Sequence, residues 1–78
     1  MRYGRLSTSP RLQRALKALQ TADGELSTME LAQRAKICAV NSVVAELRAN
    51  GAEILCRRAH KDGQRRWYYT LTKSPKGY

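Results

Sequence analysis

The stretch from Ser27 to Arg58, STMELAQRAKICAVNSVVAELRANGAEILCRR, constrains the fold more than any other part of the chain. Ser27 can accept a hydrogen bond from a free backbone N–H at a helix start, and Glu30, three residues on, can return one to the Ser27 backbone. That spacing is a capping box. Leu31, Ala32 and Ala35 follow at helical spacing. After a short turn, Val40, Val43, Val44 and Leu47 fall at i, i+3, i+4 and i+7, which defines the buried face of a second helix. Asn50-Gly51 ends it, because glycine takes the left-handed C′ conformation without a Cβ penalty. A strand-like run, Ile54 to Arg58, comes next. The order is therefore helix, turn, helix, strand.

The flanking segments complete the outline. Ser9 is a good N-cap and Pro10 suits the first helical position. Leu12, Ala15, Leu16 and Leu19 give this earlier helix its apolar stripe, and Asp23-Gly24 breaks it. In the last third, 54–58 and 65–71 read as strands around a tip at His60-Lys61-Asp62-Gly63, with Asp-Gly as the turn signal. Period 2 puts Trp67, Tyr69 and Leu71 on one face and Arg66, Tyr68 and Thr70 on the other. Trp67 and Tyr69 are expected to lean toward the core, with stacking on a base or sugar as the alternative for Trp67 or Tyr68. Leu26 is placed to form a small extra strand. Helices are expected near 10–20, 28–35 and 40–50, and a hairpin near 53–58 and 65–72. Leu16, Leu19, Leu31, Val44, Leu47, Ile54 and Leu71 are the expected core. The fold class is α+β: three helices plus a two- or three-stranded antiparallel wing sheet, the outline of a winged helix-turn-helix. Residues 1–8 read as a flexible basic arm, 9–72 as the domain and 73–78 as a flexible tail.

With 78 residues and a net charge of +9, the chain is expected to form one small domain with an anionic partner. The charge is uneven: residues 1–20 carry +5, residues 21–51 carry −1 and residues 52–78 carry +5. The helix-turn-helix is nearly neutral and the basic charge flanks it. Such flanks suit phosphate contacts, which supply affinity but little sequence information. A surface built only for solubility would intersperse both signs.

Other classes are disfavoured. No apolar run approaches the length of a membrane-spanning helix, and the first residues lack the apolar core of a signal peptide. A cytoplasmic location and no membrane partner are therefore expected. Cys38 and Cys56 read as reduced, largely packed thiols. With His60 the only histidine, zinc has too few ligands. No paired carboxylates, Ser/His/Asp set or phosphate-cradling glycine loop is present, so neither an enzyme nor a cofactor is expected.

The run ELSTMELAQRAKICAVNSVVAELRANGAEI resembles the helix-turn-helix family common in phages and prophages, and more distantly winged-helix repressors of the biotin-operon type. The matching positions are Leu26-Ser27 with Glu30, then Glu46-Leu47-Arg48 followed by Gly51 and Ile54. The resemblance covers about residues 12–58 and implies a small transcriptional regulator or DNA-architecture factor. The chain departs from the pattern at the turn. The family usually has Gly and then Ser-Arg, whereas here Lys36-Ile37-Cys38-Ala39 stands, so Ala39 replaces an arginine that could reach a base or phosphate.

Double-stranded DNA is thus the expected partner. The contact candidates are Lys36, Asn41, Ser42, Ala45 and Arg48 around the second helix of the motif, and Arg57, Arg58, Lys61, Arg65 and Arg66 on the wing. Arg2, Arg5 and Arg11 are further phosphate candidates. Asn41 suits adenine and Ser42 a base or a phosphate, unless both are simply polar residues near a helix start. The favoured docking puts the helix at 40–50 in the major groove and the wing on phosphate. In the alternative docking the wing is the principal reader. A protein partner, as for a winged helix used as an interaction module, or a single-stranded nucleic acid or RNA, are the alternative ligands.

Overall fold

The computed structural model describes residues 4–78, the side chain of Lys61 excepted. In chain order the elements are α1 (Pro10–Thr21), β1 (Leu26–Ser27), α2 (Thr28–Ala35), α3 (Val40–Ala49), β2 (Glu53–Lys61) and β3 (Gln64–Lys73). The strands form an antiparallel sheet in the order β1-β3-β2, with Leu26 opposite Tyr69. This is the expected α+β winged-helix architecture, with Leu26 supplying the small third strand.

Local chemistry sets each boundary. The Ser9 hydroxyl accepts from the Leu12 N–H ahead of Pro10. The capping box at α2 is complete: Glu30 N–H donates to the Ser27 hydroxyl at 3.1 Å and Ser27 N–H donates to the Glu30 carboxylate at 3.0 Å. α3 ends in a Schellman motif, with Gly51 N–H donating to Arg48 O and Ala52 N–H to Leu47 O, both at 3.0 Å, while Gly51 takes φ +103. The hairpin turns on Asp62 and Gly63 alone. Both have positive φ, 53 and 75, as a type I′ turn requires. The strands therefore run closer to the tip than expected, from Glu53 to Lys61 and from Gln64 to Lys73.

The three helices and the base of the sheet enclose one core. Leu12, Leu31, Leu47 and Val43 are its largest fully buried side chains. Leu16, Leu19, Val44 and Ile54 are buried as expected. Leu71 is only half-buried and packs at the edge. Its position follows from a bulge: Glu53 pairs with Lys73 but Ile54 with Leu71, so Thr72 is the extra residue, and its hydroxyl donates to Glu53 O at 3.1 Å.

Leu6 and Pro75, both outside the helices and strands, are packed. Leu6 is 3% exposed, and its N–H donates to Asn50 Oδ1 at 3.0 Å. Asn50 Nδ2 donates to Gly4 O at 2.9 Å and to Glu46 O at 2.8 Å. A side-chain amide presents the same donor and acceptor as a peptide group, so Asn50 holds residues 4–6 as a neighbouring strand would. At the other end Pro75 is buried, and Gln20 Nε2 donates to the Ser74 hydroxyl at 3.0 Å.

Candidate nucleic-acid interface

The wing leaves the core soon after its base. From Arg57 to Trp67 every described side chain is exposed except half-buried Ala59. Opposed residues of an antiparallel pair share a face, so the register divides the wing. Ile54, Cys56, Arg58 and His60 share one face with Arg65, Trp67, Tyr69 and Leu71. That face meets the helices, because Ile54 and Tyr69 are buried on it. Leu55, Arg57 and Ala59 lie on the outer face with Arg66, Tyr68 and Thr70. Period 2 alone does not distinguish the wing arginines by partner. Pairing separates them into Arg58 and Arg65 on the helix side, and Arg57 and Arg66 on the outer side.

Their surroundings differ accordingly. Arg57 donates to Glu25 at 2.6 and 3.2 Å and lies 4.8 Å from the Tyr68 ring centroid. The Arg57 hydrogen bond holds the Glu25 carboxyl below the usual carboxylate range, and Glu25 in turn raises the guanidinium pKa. Arg58 lies 5.8 Å from the Trp67 ring centroid. Arg65 and Arg66 are exposed. Lys61 lies in β2, and its side chain is outside the described part of the structure, as is Arg2.

α3 presents Asn41, Ser42, Arg48 and Ala49 outward, with Ala45 half-buried between them. Two of these polar groups are already engaged. The Tyr69 hydroxyl donates to Asn41 Oδ1 at 3.0 Å, linking the wing to the first turn of α3. Burial, foremost, pushes the Tyr69 phenol up, so it stays protonated and a donor. Arg48 donates to Ile54 O at 2.7 Å, which fastens its guanidinium to the start of β2. Ser42 is exposed. Lys36 is exposed and takes φ 55, a left-handed conformation at the end of α2. Ala39 provides no side-chain cap for α3.

Among the N-terminal basic residues, Arg5 is exposed. Arg11 pairs with Glu46, 2.9 Å from Oε1 and 2.7 Å from Oε2. Glu46 is the buried charged residue of the core region. The Arg11 hydrogen bond, foremost, holds its carboxyl low against the opposing effect of burial, and the Gly4 N–H adds to it. Oε2 is buried and has no hydrogen bond of its own, so the ion pair is what compensates it. Sequence patterning marked Glu46 only as part of a family motif. Its partner Arg11 is in direct contact but lies 35 positions away in sequence, beyond any local periodicity.

Trp67 is the main departure from the expected side-chain placement. It lies on the same face as Tyr69 but is 45% exposed, against 4% for Tyr69. The wing has already passed the edge of the core at that point. Trp67 lines a groove with Met29 and Ala32 of α2, Cys38 of the interhelical turn and Val40 of α3. Both cysteines are free and exposed rather than packed, Cys38 in the interhelical turn and Cys56 on the outer strand of the sheet.

Among the described residues no group of three or more His, Cys, Asp or Glu is placed to hold a metal, and no helix is long and apolar enough to cross a membrane. The arrangement offers donors, cations and an aromatic surface. Its shape is compatible with a nucleic-acid-binding winged-helix domain. No protein-family model, no curated protein and no solved structure matches the chain, and the geometry by itself gives a small α+β domain of the general winged-helix type.

Proposed function

We propose that the chain binds double-stranded DNA, with the outer face of α3 toward the major groove and the wing on the adjacent phosphates. One observation carries this. A wing bearing exposed Arg58, Arg65 and Arg66 projects from the core beside α3, and its helix-side face is joined to α3 through Tyr69 and Asn41. That hydrogen bond links the strand pair that carries the cations to the helix that carries the candidate readers, which supports this reading. Asn41 keeps Nδ2 and a second lone pair on Oδ1, enough for a paired contact to adenine. Ser42 is the second reader. Arg58 and Arg65, which share the helix-side face, are the principal phosphate anchors. Arg66 adds to the field, and Arg57 does so less because Glu25 neutralises it.

The residue pattern at Leu26-Ser27, Glu30, Glu46-Leu47-Arg48, Gly51 and Ile54 supports the narrower assignment to small phage- or prophage-type transcriptional regulators acting in the cytoplasm of a bacterial or infected cell. The test is a mobility shift on the DNA flanking the gene, with random duplex as competitor. Specific retardation that survives competition is expected. Equal displacement by random duplex would remove the regulator assignment and leave a non-specific binder. Absence of any shift would remove the DNA reading.

A further inference from the structure

Trp67 and Met29 are both large apolar side chains left in solvent, 45% and 70% exposed, and both line one groove of about 650 Å³ between α2 and the wing. Ala32, Cys38 and Val40 complete its apolar wall. An apolar concavity of this size with a polar rim has the form of a ligand site. Arg65, on the same face as Trp67, lines the groove, and Arg58 stands 5.8 Å from the indole centroid. The one acid in the lining, Glu30, is engaged by the Ser27 N–H at 3.0 Å.

We propose that this groove holds an unpaired base of the bound nucleic acid, stacked on Trp67, with the adjoining phosphates on the wing arginines. The inference rests on the nucleic-acid reading above and adds a substrate class to it: a duplex that carries a single-stranded extension. A base has an apolar face that suits Met29 and Trp67 and an attached anion that suits the arginines. An apolar helix or a second copy of this basic chain would bring only the first. Stacking on an aromatic ring tolerates any base, so the preference is for unpaired structure rather than for sequence.

Trp67 is the only tryptophan in the chain, so its emission reports on this groove alone. The experiment titrates the whole chain with a labelled blunt duplex, with the same duplex carrying a short thymine overhang at the 3′ or the 5′ end, and with oligothymidine. Label anisotropy and Trp67 emission are followed together. The overhang duplex is expected to bind on the order of 10-fold tighter than the blunt one, about the worth of one stacked base, and to quench Trp67. Trp67→Ala should remove that advantage and leave blunt-duplex affinity within about 2-fold, while Trp67→Phe should retain most of it. Since Trp67 is half in solvent, both variants should fold, as circular dichroism melting will verify. Equal binding of blunt and overhang duplexes with unchanged emission would overturn the groove proposal and leave duplex binding standing. No binding to any of the DNAs would overturn both. An emission shift that grows with protein concentration alone would place a second copy in the groove and also overturn the proposal.

Discussion

The Tyr69 hydroxyl donates a hydrogen bond to Asn41 Oδ1 at 3.0 Å, so the buried tyrosine of the wing sets the orientation of the first polar side chain of α3. Tyr69 is 4% exposed, and burial pushes its phenol up. Tyr69→Phe removes the hydroxyl and keeps the ring. The cost in stability should be about 1 kcal/mol, the usual net worth of one such bond, measured by urea unfolding. Asn41 would then rotate freely. If Asn41 reads a base, discrimination between specific and random duplex should fall in Tyr69→Phe as it does in Asn41→Ala, with non-specific affinity unchanged. Retained discrimination in both variants would move sequence reading away from α3.

Glu46 and Arg11 give the fold a predictable response to acid. The Glu46 carboxyl lies below its ordinary value because Arg11 donates to it. A carboxyl depressed in the folded state binds fewer protons there than in the unfolded chain. Its stabilisation is therefore fully present above the unfolded pKa, about 4.3, and is lost as pH falls through the lower folded value. Glu46→Gln should cost roughly 1–2 kcal/mol at neutral pH, less than a fully buried pair because Arg11 is partly solvated. The difference between parent and variant should shrink below about pH 4. A constant difference across that window would show that shape, not charge, is what Glu46 supplies.

Lys36 stands at φ 55, a region that costs an L-residue about 1 kcal/mol and glycine almost nothing. Lys36→Gly should stabilise the domain by about 0.5–1 kcal/mol, less whatever the freer unfolded chain takes back. The same change deletes one cation next to α3. A variant that melts higher yet binds duplex more weakly would mark Lys36 as a phosphate contact retained at a cost in stability. Unchanged affinity would make it a structural position only.

Local signals were sufficient for most of the fold. The Ser27 and Glu30 box, Pro10 after Ser9, and Gly51 after Asn50 are each short-range devices, and each lies where its spacing implied. Contacts between distant residues were not readable. Asn50 grips Gly4 and Leu6 across more than 40 positions, so residues 4–6 are held against the end of α3. Trp67 shows the limit of periodicity. Alternation identifies which face a residue takes but not how far along the strand the core extends, and the two-residue turn at Asp62-Gly63 carries the wing beyond it. For the candidate site, the sequence supplied the arginines and α3. It did not reveal that Arg57, Arg48 and Arg11 have partners within the chain.

The division of the wing follows from register and is testable by charge. Arg58 and Arg65 share a face with Tyr69, the residue bound to Asn41, whereas Arg57 is held by Glu25 on the opposite face. Arg58→Ala and Arg65→Ala should each weaken duplex binding more than Arg57→Ala, by about 3- to 10-fold, in line with one lost charged contact. Equal losses at all of these positions would mean that the wing acts through its overall field and not through one face.

The most direct test of the central claim is the salt dependence of duplex affinity, measured for the parent chain and for a variant with Arg58→Ala and Arg65→Ala together. If the wing neutralises phosphates, log K for the parent should fall linearly with log salt, by roughly 0.9 per phosphate contacted. The double variant should bind more weakly at low salt, with a slope shallower by nearly 2. An affinity independent of salt, or a slope unchanged by removal of both arginines, would contradict the account.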